Sequence, residues 1–404
     1  MNWKEKLLQF QTRIKFVKWR DILSVFPACL AAAIAPFFRL YHKRIWLICE
    51  RKSDARDNGY WFYKYVCENH PEIEAVYAID FQSPDYVKVK QLGKVIPFGS
   101  FLHWLYYFAA EKNISTQKEG KPNAAICFIL EVYLNLRQNR VFLQHGIIQS
   151  DLKLLYCDLT KMNLFLCAAQ KEYSYIKERF GYPENALKLT GLCRYDALMN
   201  TGNRKRQILV MPTMRKWLAR ISTDTDKYEG TRVFEESQYY RVWTSFLNDS
   251  MLHAMLDKYN IDLIFYPHAA LQKYVSQFHS ENPRIVIAAA ANYDVQELMK
   301  ESMVMITDYS SVHFDFAYMG KPVLYYQFDY DLFREAQYQE GYFSYKDDGF
   351  GPVVEDKDAL LAQLENILRN DCVMSEVYKQ HSESFYAYRD NKNCERTFEA
   401  IQNM

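Results

Sequence analysis

VMITDYSSVHFDFAYMGKPVLYYQFD, residues 304–329, contains apolar runs separated by a polar cluster and a helical pattern. The apolar run at residues 303–306 has the length and composition of a buried strand. Val312, Phe316 and Met319 then recur at the spacing of one helix face, and Gly320 with Pro322 ends that helical pattern. A second apolar run follows at residues 322–326. The stretch therefore predicts a strand, a turn, a helix and another strand, which is the unit of a parallel sheet.

Residues 308–311, Asp-Tyr-Ser-Ser, form the predicted turn between the strand and the helix. A serine at the start of a helix can accept a hydrogen bond from the first helical N–H groups. The remaining N–H groups and the positive end of the helix dipole favour an anion. The turn is thus a candidate phosphate seat. The alternative is that Ser310 or Ser311 only caps the helix.

Strand-like and helix-like segments alternate in the same way along most of the chain. One series of apolar runs lies at residues 45–49, 75–79, 94–97, 141–143, 164–168 and 187–190, and a second at 208–211, 263–266, 284–288, 303–306 and 322–326. Such alternation predicts parallel sheets covered on both faces. We therefore expect 404 residues to form two doubly wound α/β domains facing a cleft, with ligands at the carboxyl ends of the strands.

The polar stretch at residues 200–206 is interpreted as a linker between these domains. We expect a membrane-associating segment at residues 1–40, an N-terminal domain at 41–200 and a C-terminal domain at 207–370. Residues 371–404 are predicted to form a helical segment that packs back on either domain.

Composition argues against several classes of function. The net charge of +1 provides no overall basic field of the kind that binds nucleic acid. The nine cysteines are scattered without a C-x-x-C pair, as expected for reduced packing residues of a cytosolic protein rather than a zinc site or disulfide framework. Dinucleotide, P-loop, metalloprotease and hydrolase functions lose their usual support, because G-x-G-x-x-G, G-x-x-x-x-G-K-[ST], H-E-x-x-H and G-x-S-x-G motifs are all missing.

The amino terminus is basic and amphipathic. Residues 1–20 carry six basic side chains against one acid, Glu5, interleaved with apolar residues that include Trp3 and Trp19. Residues 25–38 form an uncharged run of 14 residues, interrupted by Pro27 and Pro36 and shorter than the roughly 18 to 20 residues that span a bilayer. The pattern predicts peripheral attachment to an anionic membrane face. The alternatives are a helix packed on its own domain and a true anchor or signal peptide.

Chemically useful side chains follow three predicted strands. His145, with Gly146 beside it, follows the run at residues 141–143; His268 and Asp308 each end a strand of the second series. A neutral imidazole can accept a proton from a hydroxyl, and a protonated one can stabilise a phosphate. We expect the three residues to converge on one cleft. The alternative for each histidine is a turn or core position.

Other polar residues are weaker candidates. Thr213 and Arg215 follow the first strand of the second series, and an arginine suits bidentate phosphate contact. Arg194 lies near Asp196 just before the linker. A structural ion pair of Arg194 with Asp196 or another neighbour is an equal alternative to ligand contact.

Taken in order, these motifs resemble the CDP-glycerol glycerophosphotransferase family, the polymerases and primases of teichoic acid and related capsules. The resemblance rests on FLQHG (142–146), GLCRYDAL (191–198), ILVMPTMR (208–215), YPH (266–268), ITDYSSVHFDFAYMGKPVLYYQFDYDLFR (306–334) and EGYFSYKDDGFGPVV (340–354). It implies a GT-B-type fold of two Rossmann-like domains, with the nucleotide held mainly by the second. It also implies peripheral attachment to the inner, cytoplasmic face of the cell membrane.

The resemblance assigns roles to the matching residues. His145 matches the histidine proposed as the base for the acceptor hydroxyl, and His268 matches the family's second histidine. The implied nucleotide and phosphate ligands are Thr213, Arg215, Thr307, Asp308, Ser310 and Ser311, and the weaker acceptor or hinge candidates are Gly146 and Arg194. Many members read HG-T-P-x-K after the first histidine, whereas this chain reads GIIQSD at residues 146–151, followed by Lys153. The departure concerns the acceptor side, because the CDP side is better matched.

The implied reaction is attack of an acceptor hydroxyl on the β-phosphorus of CDP-glycerol or CDP-ribitol, with CMP leaving. The expected acceptor is a lipid-linked glycan or polymer, and no separate cofactor or metal is expected. Two rival functions stay open. One is a glycosyltransferase of similar architecture that uses a nucleotide sugar, and the other is a non-catalytic scaffold of a capsule or teichoic-acid assembly complex.

Overall fold

Two parallel sheets organise the chain. The computed structural model describes residues 17–136, 139–199, 204–220 and 227–404. The chain divides into two compact units. The first contains residues up to His145, Leu152–Ala197 and Asp390–Met404, and the second contains Gly146–Asp151 and Leu198–Arg389. The prediction of two α/β domains built on parallel sheets is confirmed.

The boundaries of the two units differ from the predicted domain boundaries at residues 146–151 and within residues 371–404. The predicted segment 371–404 is divided, since residues up to Arg389 belong to the second unit and Asp390–Met404 to the first. Asp196 holds the last helix in the first unit, because its carboxylate accepts hydrogen bonds from the backbone N–H groups of Asn393 and Cys394. Gly146–Asp151, predicted in the first domain, belongs to the second unit. Residues 200–203 of the predicted linker lie outside the described residues.

The first unit is built on a parallel sheet with the strand order β3-β2-β1-β4-β5-β6-β7. Its strands are β1 Ile45–Cys49, β2 Glu74–Ile79, β3 Lys94–Pro97, β4 Lys112–Ser115, β5 Arg140–Phe142, β6 Leu164–Cys167 and β7 Leu187–Leu189. The sequence pattern missed β4, because Lys112 and Asn113 interrupt its apolar character. The strand order reverses between β1 and β4, and open sheets of this type bind ligands at such a reversal.

Helices cover both faces of the first sheet. The helices of this part of the chain are Trp19–Leu23, Val25–Tyr41, Asn58–Asn69, Tyr86–Lys90, Phe101–Ala109, Ala124–Phe128, Cys157–Thr160, Gln170–Arg179, Tyr195–Leu198 and Asn393–Gln402, with a π-helical turn at Ile129–Tyr133 and 3-10 turns at Lys153–Leu155 and Glu184–Ala186. One core packs Trp46 of β1 with Phe62 and with Phe398 of the last helix. The opposite core contains Leu47 and Trp104.

Helix Val25–Tyr41 packs against helix Phe101–Ala109. It differs from the sequence-based expectation in two ways, the effect of its prolines and the length of the apolar segment. It continues through Pro27, in its first turn, and through Pro36 in its interior; a proline in the first turn costs little, because its missing N–H has no partner there. Residues Trp19–Tyr41 form a 23-residue segment that contains an 18-residue window of mean hydropathy 1.8, and by length and composition alone it could cross a membrane. The uncharged run at residues 25–38 had predicted an apolar segment that is too short to span a bilayer. Residues 1–16 of the predicted basic helix lie outside the described part.

The second unit is built on a parallel sheet with the strand order β10-β9-β8-β11-β12-β13. Its strands are β8 Gln207–Met211, β9 Asp262–Phe265, β10 Ile285–Ile287, β11 Val304–Thr307, β12 Val323–Tyr326 and β13 Val353–Val354. The helices are Lys216–Arg220, Lys227–Glu235, Gln238–Leu247, Ser250–Lys258, Val295–Glu301, Val312–Tyr318, Tyr330–Ala336, Lys357–Arg369 and Glu376–Phe385, with a 3-10 segment at Ala269–Gln277. The strand order reverses between β8 and β11, so their carboxyl ends mark the ligand-binding edge expected for this fold.

The stretch at residues 304–329 folds as the sequence predicts. β11 leads through a turn into helix Val312–Tyr318, and Gly320, with φ +70°, ends the helical region before β12. Lys321 is buried, and its ammonium group donates hydrogen bonds to the carbonyl oxygens of Met299, Lys300 and Ser302. It thereby caps the C-terminus of helix Val295–Glu301, where a cation is favourable.

Candidate active site

Asp308 links the carboxyl ends of β8 and β11, the two strands at the reversal point of the second sheet. It follows β11, and its Oδ1 accepts hydrogen bonds from the backbone N–H groups of Thr213 (2.8 Å) and Tyr309 (2.6 Å). Its Oδ2 lies 2.9 Å from Nη2 of Arg215. The carboxylate is fully buried. Asp308 therefore shapes the loops after β8 and β11, and it is placed to position a ligand site rather than to contact an anion.

Arg215 is enclosed beside Asp308. Its Nε and Nη2 donate to the two carboxylate oxygens of Asp329 at 2.7 and 2.9 Å, and its Nη1 donates to the carbonyl oxygen of Thr213 at 2.7 Å. The side chain is fully buried, and its guanidinium lies 5.1 Å from the centre of the Phe333 ring. The predicted phosphate contact of Arg215 is therefore corrected to a positioning role, because two carboxylates and a carbonyl already occupy its donors.

The predicted role of Thr307 as a phosphate ligand is corrected because its donor is also already used. Its hydroxyl donates to the carbonyl oxygen of Met211 on the neighbouring strand β8 at 2.7 Å, and the residue is fully buried. Thr307 thus joins two strands instead of facing a ligand. Thr213, in contrast, is half-buried and stays a candidate phosphate ligand.

Ser310 and Ser311 form the open part of the turn. Both are half-buried. The Ser310 hydroxyl accepts a long bond of 3.5 Å from the N–H of Val312, and Ser311 makes no side-chain capping bond. Among the described residues, the backbone N–H groups of Ser310 and Ser311 have no hydrogen-bond acceptor. Two adjacent unsatisfied donors before a helix are what an anion requires.

An aromatic residue and a second acid support this turn. The Tyr309 ring stacks on Phe333 at a centroid distance of 3.8 Å, and its hydroxyl donates to Asp329 Oδ1 at 3.2 Å. Sequence reasoning missed Asp329, although a signal was available. Asp329 lies three residues after β12, and Asp308 lies directly after β11. Polar residues that follow parallel strands gather at one edge of the sheet.

His268 is exposed after β9, the strand beside β8. Its Nδ1 accepts a hydrogen bond from the backbone N–H of Ala270 at 3.1 Å. A ring nitrogen that accepts cannot carry the proton, so the neutral tautomer has its proton on Nε2. The local backbone therefore prepares His268 to act as a donor through Nε2.

His145 lies three residues after β5 in the first unit and is exposed. The preceding loop is held by Asn58, whose Nδ2 donates to the carbonyl oxygen of Gln144 at 2.8 Å. Although the residue is exposed, protein atoms packed around the ring desolvate its charged form and lower the pKa of His145; Asp57 opposes this and Arg194 adds to it. The imidazole is therefore neutral near pH 7, which a proton acceptor must be.

Arg194 is fixed by a neighbour of His145. Its Nη1 lies 2.5 Å from Oδ1 of Asp57, and its backbone N–H donates to Oδ1 of Asn58 at 3.0 Å. Arg194 thus forms a structural ion pair with Asp57, which fits the alternative of pairing with a neighbour. Gly146 is buried and begins the segment that belongs to the second unit.

The candidate groups suit an anion better than a cation. In the described ranges, no three or more His, Cys, Asp or Glu side chains are grouped to hold a metal ion. The groups that the turn and His268 present are N–H donors. Such donors bind the oxygens of phosphate esters.

Known proteins resemble this chain in sequence and in fold. A family model described as CDP-glycerol:poly(glycerophosphate) glycerophosphotransferase matches residues 30–403. The minor teichoic acid biosynthesis protein GgaB of Bacillus subtilis (strain 168) is 32% identical over 383 residues, which are 93% of this chain and 41% of that protein. The chain therefore spans less than half the length of this relative.

Two solved structures show the fold. A variant of the wall teichoic acid polymerase TagF, soaked with CDPG, aligns with a TM-score of 0.66 at 14% identity, over 100% of this chain and 98% of that one. A putative UDP-N-acetylglucosamine 2-epimerase from Listeria monocytogenes aligns with a TM-score of 0.53 at 14% identity, over 89% of this chain and 96% of that one. The same pair of Rossmann-like domains thus occurs in proteins whose names denote different chemistries.

Proposed function

The chain belongs to the CDP-glycerol:poly(glycerophosphate) glycerophosphotransferase family, and on that premise we propose that it transfers an alditol phosphate from a CDP-alditol to an acceptor hydroxyl. The donor is CDP-glycerol or CDP-ribitol, and the acceptor is a lipid-linked glycan or polymer of teichoic acid or capsule synthesis. The acceptor oxygen bonds to the β-phosphorus while the bridging P–O bond breaks, so that CMP leaves. No separate cofactor is required.

One observation carries the donor side of this proposal. The unsatisfied N–H groups of Ser310 and Ser311 lie at the reversal point of the second sheet, where this fold binds ligands. They would donate hydrogen bonds to the diphosphate oxygens, together with Nε2–H of His268. Because these donors are oriented before the substrate arrives, they would hold the diphosphate in the ground state and in the transition state alike.

His145 supplies the acceptor side. Its neutral imidazole would take the proton of the acceptor hydroxyl as the new bond forms, which makes the oxygen a better nucleophile. The meeting of His145 and His268 at one cleft stays a prediction. Arg215, Asp308 and Asp329 act in this scheme by holding the loops that carry the donor site.

Peripheral membrane attachment at the cytoplasmic face is part of the same proposal. Helix Val25–Tyr41 turns Ala28, Ala31 and Ala35 toward the first unit. Its Phe26 and Phe37 are exposed by 78% and 68% of their surface. An apolar face of this kind suits the interface of a bilayer, with the basic residues of the amino terminus near anionic headgroups.

Detection of CMP tests the proposed function. The protein is incubated with a lipid-linked acceptor and with CDP-glycerol, CDP-ribitol or a panel of nucleotide sugars, and the released nucleotide and the extended acceptor are analysed by chromatography. We expect CMP together with an acceptor heavier by one alditol phosphate. Release of a nucleoside diphosphate from a nucleotide sugar would establish the glycosyltransferase instead, and binding without turnover of any donor would favour the scaffold.

A further inference from the structure

The segment Gly146–Asp151 is where this chain departs from the HG-T-P-x-K pattern, and it belongs to the second unit. It directly follows His145. Within it, Gln149 is half-buried and reaches the turn after β11.

The Gln149 amide holds the turn from one side. Its Nε2 donates to the carbonyl oxygen of Tyr309 at 2.8 Å. Its Oε1 accepts from the hydroxyl of Tyr345 at 3.1 Å and lies 3.1 Å from Nε2 of His313. Each end of the amide thus has its own partners, which fixes its orientation.

A chain of buried donors sets the direction of the His313 contact. The backbone N–H of Phe350 donates to the Tyr325 hydroxyl at 3.3 Å, and this hydroxyl lies 2.7 Å from Nδ1 of His313. Burial lowers the pKa of His313 to about 3, so the ring is neutral. With Tyr325 donating to Nδ1, the ring proton sits on Nε2 and points to Gln149.

The backbone of Gln149 also packs closely against a neighbouring segment, residues 340–341. A Cβ atom on Gly341 would lie 2.3 Å from the carbonyl oxygen of Gln149, so only glycine permits this approach. The next residue, Ser150, forms an antiparallel bridge with Glu340. The segment is therefore held against residues 340–341 at the position from which Gln149 reaches Tyr309.

Peptide geometry links this contact to the phosphate seat. The carbonyl of Tyr309 and the N–H of Ser310 belong to one planar peptide group, and the part of the chain that the structure describes contains no cis peptide bond. In a trans peptide the C=O and N–H bonds point in opposite directions. A donor that fixes the direction of the Tyr309 carbonyl therefore also fixes the direction of the Ser310 N–H.

We propose that Gln149 is a positioning residue for the donor: by holding the Tyr309 carbonyl, it aims the Ser310 N–H at the diphosphate of the CDP-alditol. The inference rests on the proposed function. It gives the segment after His145 a task on the donor side, and it makes Gln149 a determinant of donor affinity in this chain.

Three variants and a matched control test the proposal through KM for CDP-glycerol, kcat for CMP release and calorimetric affinity. Gln149→Met removes both ends of the amide, and Gln149→Glu keeps the acceptor oxygens but removes the donor to Tyr309. We expect each to raise KM and Kd about tenfold, the effect of one lost hydrogen bond to a charged ligand, with kcat changed less than about threefold. Tyr345→Phe should change KM less, because Gln149 keeps its bond to Tyr309. Gln170→Ala, at an exposed glutamine, should change nothing.

Thermal unfolding separates positioning from general stability. A merely structural residue would lower Tm in Tyr345→Phe and both Gln149 variants, with donor KM following Tm. If the wild type releases CMP while both Gln149 variants keep the wild-type KM and Kd, the inference is overturned. If Gln149→Met does not fold, Gln149→Glu decides in the same way. A wild type that neither binds CDP-glycerol nor releases CMP overturns the proposed function and this inference together.

Discussion

At the scale of single residues, the two candidate histidines are held in different ways. His268 accepts a backbone hydrogen bond at Nδ1, whereas packing around His145 lowers its pKa. We expect His145→Ala to lower kcat by roughly 10² to 10⁴ with little change in nucleotide affinity, since proton removal matters only as the bond forms. His268→Ala should weaken both CDP-alditol binding and turnover. CMP-release kinetics and calorimetry measure the two effects, and His279→Ala, at another exposed histidine, is the control.

The pH profile gives the His145 assignment a second test. A base must be deprotonated, so kcat/KM falls as the pH drops through its folded pKa. Because that pKa is lowered from 6.5, the fall should lie below pH 6.5 and should be missing in His145→Ala. Near-normal turnover of a correctly folded His145→Ala would instead make this histidine a structural residue at the strand end.

The buried Arg215 makes a prediction about stability. In Arg215→Met, the carboxylates of Asp308 and Asp329 lose their cation, and breaking a buried ion pair from one side costs about 3 to 5 kcal/mol. Urea denaturation should show this loss in the free energy of unfolding. Arg284→Met, which removes partly exposed ion pairs with Asp257 and Asp262, should cost less than about 1 kcal/mol. An Arg215→Met protein of normal stability but poor donor affinity would restore the direct phosphate contact.

At the scale of elements, the proposed anion seat in the turn between β11 and its helix consists of backbone as much as of side chains. Ser310→Ala with Ser311→Ala should weaken CDP-alditol affinity by about 1 to 3 kcal/mol. Ser311→Pro tests the backbone itself: Ser311 has φ −65°, which proline adopts, and proline removes the N–H. We expect it to weaken binding more than Ser311→Ala does. Unchanged calorimetric affinity in all these variants would leave Ser310 and Ser311 as helix-capping residues only.

At the scale of the whole molecule, the proposed membrane attachment depends on the exposed face of the amino-terminal helix. Deletion of this helix would also uncover the core that Ala28, Ala31 and Ala35 close, so substitutions on its exposed face are the sharper test. Phe26→Glu with Phe37→Glu should lower binding to anionic vesicles at least about tenfold per side chain, without lowering Tm. Leu332→Glu, at an exposed leucine of the second unit, should bind normally.

Vesicle sedimentation at increasing salt completes that test. Attraction of basic residues to anionic lipid is screened, so binding should weaken as ionic strength rises. Binding that resists both salt and the two Phe substitutions would instead indicate that the apolar segment is inserted across the bilayer.

The sequence by itself determined the fold class and the location of the turn, because both depend on local periodicity. Apolar runs and a helix-face spacing place β11, the turn and the helix of residues 304–329 within a residue or two of their observed bounds. β4 escaped this reasoning, since its burial on both sides comes from β1 and β5 and not from its own composition. The local hydrophobic pattern indicates which secondary structure a segment prefers. It carries no information about the segments that pack beside it.

Tertiary structure alone decided which candidate residues are buried in hydrogen-bonded contacts and which stay accessible. Arg215 and Asp329 are 114 residues apart in the chain, and only their contact turns a predicted phosphate ligand into a buried organiser. Gln149 meets Tyr309 across 160 residues, a pairing that nothing near either residue indicates. Burial and hydrogen-bond partners are set by chain segments that pack together from far apart, and these two properties decide whether a polar side chain is available for chemistry.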